Sequence, residues 1–330
     1  MRILLDTNIW RYLIDTGTEN KLFQSSHRSN VQICIVPAII VETLRMSDLR
    51  TRRRIIELQT RDCWNRLMPE AYLECEDVKR EMIRTHPEWE LKTKNVNLFR
   101  KLRYDWIRTK GGFWEKARTD SDTVADHYKR QDSAALTQVR EQSKDVRKSV
   151  SEKGISMLNT PSLRDWKGSW RNPISGEELV ADAWRVYAEV IWGNMLSQES
   201  VFKQWLGCEF DIDFLLSYGA LDYVRFWQSE VREELVPREW IRASVYGMQS
   251  ERKVTDGNPT DSAIATHAVD VDLIASADKN FVAMLNRIQD EAPFKTAHGL
   301  LVQAGRTGID ELLQIVSSPS TFSLSSNVRH

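Results

Sequence analysis

The sequence predicts an α/β protein whose sheet domain is discontinuous, residues 1–66 plus 236–330, and is interrupted by a mainly α-helical inserted domain, residues 67–235. Three observations carry that expectation. Short apolar runs at 2–5, 31–36 and 272–277 each end where a helix start follows, the strand–turn–helix rhythm of a parallel sheet. From about Leu67 to Glu234 the chain carries long charged, helix-favouring segments with almost no alternating strand pattern, and short α/β units return at about Val236. A hydrophobic content of 41% over 330 residues suffices for a core in each part.

Arg2 to Leu5 reads as a buried strand with Asp6 at its end. Thr7 is suited to an N-cap, and Asn8, Ile9, Trp10, Tyr12, Leu13 and Ile14 continue as a helix. Thr16 to Asn30 reads as a polar connection. Val31, Ile33 and Ile35 alternate as a second strand, closed by Pro37. From Ala38 a helix carries Glu42 near the carboxyl end of that strand, where an isolated acid also serves the helix dipole.

Arg45 to Arg66 holds seven basic residues, Arg45, Arg50, Arg52, Arg53, Arg54, Arg61 and Arg66, against three acids. Such a face either is solvated or binds phosphate. In the helical segment, Trp89, Trp106, Trp114, Trp184, Trp192, Trp205 and Trp227 sit among aliphatic residues at helix-packing spacings, which makes core the expected fate of most. Arg100 to Arg118 differs, with seven basic and two acidic residues interleaved by Tyr104, Trp106, Phe113 and Trp114. Basic side chains beside aromatics grip a single strand by charge and stacking, although an amphipathic helix has the same pattern. Asp120 to Asn159 is polar and lysine-rich, expected as an exposed helix or mobile segment. Pro161, Pro173 and Gly176 mark loop, with helices resuming at Glu177.

Pro237 to Gln249 reads as a helix with Trp240, Ile241, Val245 and Met248 on one face. Asn258 as N-cap and Pro259 at the first helical position start another, with Asp261 in its first turn. Asp272 to Ala277 supplies the third strand, and Asp278 stands at its end as Asp6 does on the first. Leu312 to Val316 is expected as an edge strand, followed by a loosely ordered Ser-rich tail.

The formal net charge is −1, from 46 basic and 47 acidic residues, so attraction to a polyanion must come from local patches. Cys34, Cys63, Cys75 and Cys208 form no Cys-x-x-Cys pair, which fits a reduced cytoplasmic compartment. Asp6 interrupts the apolar start too soon for a signal peptide, and the longest apolar stretch, Ile33 to Val41, falls far short of the roughly 20 residues that span a bilayer. No membrane association is expected. Walker-type glycine loops, His-Glu-x-x-His and Gly-x-Ser-x-Gly are absent from the sequence.

Asp6, Glu42, Asp261 and Asp278 thus each fall at a strand end or a helix start. In one parallel sheet they converge, and clustered carboxylates repel unless a cation neutralises them. The cation that suits such oxygen donors is a hard divalent ion, Mg or Mn.

These motifs resemble the PIN-domain nuclease family. The matching residues are Leu4-Leu5-Asp6-Thr7-Asn8, Pro37 through Glu42-Thr43-Leu44, Asp261-Ser-Ala-Ile-Ala-Thr-His-Ala268 and Ser276-Ala-Asp278-Lys-Asn-Phe281, covering about residues 1–66 and 236–330. The resemblance implies a parallel α/β/α sandwich and endonucleolytic cleavage of RNA through one or two Mg or Mn ions. It assigns Asp6, Glu42, Asp261 and Asp278 to the acidic quartet and Thr7 or Asn8 to the supporting polar position. Two departures stand out. Asn280 occupies a position where many members carry a further acid, and the 219 positions separating Glu42 from Asp261 require an inserted helical domain.

The expected substrate contacts are Thr7, Asn8, Arg45, Arg52, Arg53, Arg54 and Trp106. The insertion is expected to select or cover RNA, or to take a protein inhibitor or partner. The alternatives are cleavage of structured DNA and a non-catalytic RNA-binding or scaffolding protein. Toxin–antitoxin pairing, phage defence and RNA maturation are the compatible settings.

Overall fold

The computed structural model of the protein describes residues 1–126, 128, 162–171, 176, 178–217, 219–250 and 258–319. Five parallel strands form one sheet: β1 (Arg2–Leu5), β2 (Gln32–Ile35), β3 (Asn65–Arg66), β6 (Leu273–Ser276) and β7 (His298–Leu301), in the order β3-β2-β1-β6-β7. The chain moves outward from β1 in one direction and resumes on its other side at β6. That reversal of strand order opens a crevice at the carboxyl ends of β1, β2 and β6, where ligands bind in open α/β sheets.

The three central strands are apolar almost throughout, because helices cover the sheet. Ile3, Leu4, Leu5, Ile33, Cys34, Ile35, Leu273, Ile274 and Ala275 are all buried. The first covering helices are α1 (Thr7–Thr16), α2 (Glu19–Arg28), α3 (Pro37–Leu44) and α4 (Leu49–Gln59). Pro37 occupies the first turn of α3, where its missing N–H costs nothing. The segment Thr16 to Asn30, read from the sequence as a polar connection, is largely helical: α2 buries only Leu22 and Ser26, so its sequence shows little apolar face.

After β3 the chain continues with α5 (Glu70–Thr85), α6 (Val96–Ile107) and α7 (Phe113–Thr119). It resumes with the antiparallel hairpin β4 (Lys167–Arg171) and β5 (Glu178–Asp182), then α8 (Ala183–Ser197), α9 (Val201–Leu206), α10 (Ile212–Leu216) and α11 (Ala220–Arg225). The hairpin corrects the expectation that helices resume at Glu177. Trp89, Trp114, Trp184, Trp192, Trp205 and Trp227 are buried as expected, in a core continuous with that of the sheet.

The chain returns through α12 (Pro237–Ser250), which packs on α5 by buried ion pairs. Arg238 bonds Asp77 and Asp270 at 2.6 Å each, and Arg242 bonds Glu74. Glu239, fully buried nearby, has its carboxyl pushed well up by burial and by the Glu74 charge.

The last elements are α13 (Asn258–Thr266), β6, α14 (Lys279–Glu291), β7 and α15 (Arg306–Ser317). Leu312 to Val316 lies within α15 rather than forming an edge strand. Ile309, Leu312, Leu313 and Val316 are its buried face at helical spacing, and β7 takes the edge. Of Asp120 to Asn159, residues 121–126 and 128 are helical and 127 and 129–159 lie outside the described residues, as do Pro161, Pro173 and the tail from 320.

Candidate active site

Asp6 leaves β1 directly into α1, and it, not Thr7, is the N-cap. One carboxylate oxygen accepts from the Thr7 amide at 2.7 Å. The other accepts from Asn8 Nδ2 at 2.8 Å and from Ser276 Oγ at 2.5 Å. Asp6 is only 6% exposed, and burial raises its carboxyl above the usual range against the pull of these donors.

Released from capping, the Thr7 hydroxyl turns to donate to Glu42 Oε2 on α3. Glu42 is pushed up to about 7, first by burial and then by the Asp6 charge, with Thr7 and Arg45 opposing. Asp261, in the first turn of α13, is pushed up to about 8 by burial and then by Asp6, Glu42 and Asp278. Gln249 Nε2, at the end of α12, stands 3.4 Å from Asp261 Oδ2.

Asp278 is the exposed member, at the N-cap of α14, where Oδ1 accepts from the amides of Asn280 at 2.7 Å and Phe281 at 3.1 Å. Its own amide donates to Ser276 Oγ at 3.0 Å, while the Ala277 amide donates to Asn8 Oδ1 at 3.0 Å. Asn8 and Ser276 thus bind the carboxyl ends of β1 and β6 together. The fold brings the four acids Asp6, Glu42, Asp261 and Asp278 close enough to repel one another.

Hard oxygen donors that are buried and mutually repelling fit Mg or Mn. Among the described residues no three His, Cys, Asp or Glu side chains already stand at metal-ligand spacing. The fit therefore rests on the donor chemistry and the repulsion.

The other sequence candidates separate. Arg45 reaches the site, donating from Nη1 to Thr260 Oγ1 at 3.0 Å and lowering Glu42 by its charge. Arg52 does not: it is 3% exposed, and its guanidinium donates to the Leu44 and Met46 carbonyls and to Asp122. Its reading as a phosphate contact is corrected, because the turn between α3 and α4 needs that donor. Arg53 pairs with Asp122 at 3.1 Å, and Arg54 stands 4.0 Å from Glu19. Trp106 is half-buried, its ring 4.7 Å from Phe113 and its carbonyl accepting from the Trp114 indole, so packing consumes the face expected to stack on a base. Thr7 donates to Glu42 and Asn8 to Asp6, so both stand within the acid cluster.

Ser276, Gln249 and Thr260 also border the acids; in the sequence Ser276 stands only as part of a motif and the other two carry no assigned role. A serine ending an otherwise apolar buried strand was the available signal for Ser276. Gln249 and Thr260 carried none, being ordinary polar residues on helices. No protein-family model, curated protein or solved structure matches the chain.

Proposed function

We propose that the protein is a metal-dependent endonuclease of PIN-like fold that hydrolyses RNA phosphodiester bonds. The observation that carries this reading is the set of four carboxylates gathered beside the carboxyl ends of β1, β2 and β6, with Asp6 raised by burial and Glu42 and Asp261 pushed up to about 7 and about 8 by burial and neighbouring acids. A purely structural role does not account for such a concentration of like charge, because each added carboxylate raises the cost of ionising the others.

Asp6, Glu42, Asp261 and Asp278 would hold Mg or Mn. The ion, when bound, supplies the Lewis acidity that activates water and stabilises the leaving oxygen. The protein's own residues prepare that centre. Ser276 and Asn8 fix Asp6, Thr7 fixes Glu42, and the α14 amides hold Asp278 Oδ1, so the donor oxygens lose little freedom on binding. Glu42 and Asp261, raised to about 7 and about 8, would have to be deprotonated to serve as ligands, which would tie affinity to pH. Arg45, beside Glu42 and Thr260, is placed to meet a substrate phosphate.

The test is cleavage of end-labelled single-stranded RNA by the full chain in Mg, in Mn and in excess chelator. Cutting that depends on the metal supports the reading, and undiminished cutting in chelator overturns it. A structured DNA duplex run in parallel, cut in place of RNA, would establish the DNA alternative.

A further inference from the structure

Away from the acids, a cavity of about 400 Å³ opens beside the first residues of β2. Three separate stretches wall it: α2, the turn from α2 into β2, and the residues that lead into β3. β3 pairs with β2 only at Cys34 and Ile35, so the sheet edge at Gln32 and Ile33 is left open onto the cavity. Glu42 lies beyond the carboxyl end of β2. The cavity and the acids therefore stand at opposite ends of a strand roughly 13 Å long. The cavity volume falls within the range of small-molecule sites, roughly 300–1,000 Å³.

Two kinds of side chain face it. Phe23, 40% exposed, and the exposed His27 bring aromatic rings from α2, and the buried Trp64 backs Phe23 with ring centroids 6.4 Å apart. The Phe23 and His27 rings are 6.2 Å apart and tilted by 40°, which admits no planar group between them, so a ligand ring stacks on one of them only. The polar side chains are mostly carboxamides. Those of Asn30 and Gln32 have no hydrogen-bond partner among the described residues, and Asn65 Nδ2 donates only to Cys34 Sγ, a weak acceptor at 3.6 Å. Asn30 also holds φ at 53°, where glycine would sit with less strain, and so keeps an unengaged amide on the cavity wall. No Arg, Lys, Asp or Glu lines the cavity.

A carboxamide presents a donor and an acceptor side by side, the match for the amino group and adjacent ring nitrogen of adenine. Guanine and cytosine are read chiefly by charged side chains, which this wall lacks, and uracil offers a smaller ring to stack. From the aromatic wall, the unengaged carboxamides and the lack of acidic or strongly basic groups we infer that this cavity binds an adenine base. The base is carried either by a free nucleoside or by an RNA strand, with its sugar and any phosphate left toward solvent.

The test uses the full chain in chelator, so that its outcome is independent of metal binding and of cleavage. Calorimetric titration with adenosine, guanosine and uridine should show adenosine binding roughly tenfold more tightly than the other two, the scale of one bidentate base contact. Cys63 lines the cavity and is the sole exposed cysteine, so adenosine should also slow its alkylation, which distinguishes this cavity from the acid cluster. Asn30→Gly removes the amide and relaxes the backbone, and should weaken adenosine without lowering the melting temperature. Phe23→Ala should weaken it by roughly tenfold, the scale of one lost stacking contact. An oligoadenylate that competes with adenosine and binds more tightly identifies an RNA strand as the source, and one that fails to compete identifies a free nucleoside; either sustains the assignment. Absence of adenosine binding, equal binding of the three nucleosides, unprotected Cys63, or adenosine binding unchanged in both variants would each overturn it.

Discussion

The Ser276 hydroxyl donates to Asp6 Oδ2 at 2.5 Å across the β1–β6 strand pair, and Ser276 Oγ itself accepts from the Asp278 amide at 3.0 Å. One buried side chain thereby sets the position of two acids that are 272 residues apart in sequence. Ser276→Ala should leave the Asp278 amide unpaired and Asp6 with one donor fewer. The expected stability loss is about 1–3 kcal/mol, the cost of leaving a buried polar group unsatisfied. Cleavage should fall roughly 10- to 100-fold, as when a residue orienting a metal ligand is lost. Ser276→Thr, which keeps the hydroxyl, should retain most of the activity; paired melting and cleavage measurements on the two variants decide whether the hydroxyl orients the site.

The raised carboxyls impose a pH dependence on the metal-free protein. Glu42 moves from 4.5 to about 7 and Asp261 from 3.8 to about 8 on folding, so between those limits the folded state holds more protons than the unfolded chain. Their contribution is fully present below about pH 4 and is lost as pH rises through 7 and 8. In chelator the melting temperature should therefore fall over that window. With saturating Mn the fall should shrink or reverse, because the ion takes the deprotonated oxygens. A curve in chelator that rises from pH 5 to 8 would contradict the repulsion on which the site rests.

The arginines of α4 should divide by burial. Arg52→Ala removes the donor to the Leu44 and Met46 carbonyls and should cost about 1–3 kcal/mol without a specific effect on RNA affinity in the folded fraction. Arg53→Ala, at an exposed pair, should change stability by no more than about 0.5 kcal/mol. Arg45→Ala should reduce the slope of log affinity against log salt by about 0.7, the value of one phosphate contact to a single strand. RNA binding titrated at several salt concentrations measures this, and an unchanged slope for Arg45→Ala would leave it a structural neighbour of Thr260 and Glu42.

The strands and acids of the site were legible because two short-range signals coincide there. An apolar run long enough for a buried strand stops at a carboxylate, and a helix start follows within one or two residues, as at Leu5–Asp6 and Ser276–Asp278. The sheet edge was not legible. β7 is His298-Gly-Leu-Leu301, with little apolar sequence, and Gly299 is there because a Cβ would come within 3.0 Å of Leu285, Asn286 and Val282 of α14. That is a packing constraint no periodicity records. Leu312 to Val316 misled for the converse reason: a short run that includes Leu312, Leu313 and Val316 satisfies a strand and a helix face alike, and contact with α1 and α2 decides between them. Composition also could not separate Arg52 from Arg53 or Trp114 from Tyr104. Arg52 and Arg53 share α4, and Tyr104 and Trp114 lie on the consecutive helices α6 and α7, so only the direction of each side chain determines which is structural.

Asp261 sets the metal-centre reading against the simplest alternative, because the two differ in sign. As a mere first-turn acid of α13, Asp261 would favour the helix dipole, and Asp261→Asn would lower stability by about 0.3–1 kcal/mol and leave activity intact. In the repelling cluster the outcome reverses. Asp261 is raised to about 8, so near pH 7 it is largely protonated and Asn replaces it at little cost. Above pH 8 the wild type must charge a fourth carboxylate beside Asp6, Glu42 and Asp278, whereas the variant need not, so the variant should melt at the same temperature at pH 7 and at a higher one at pH 9. Mn should then raise the wild-type melting temperature through binding to the folded state, and raise the variant's less, because the variant lacks one charged donor. Cleavage by the variant should fall by orders of magnitude. Melting curves at both pH values, with and without Mn, alongside a cleavage assay, separate the accounts. A variant that melts lower throughout, responds to Mn like the wild type and still cuts RNA would leave Asp261 a helix-start residue and remove it from the site.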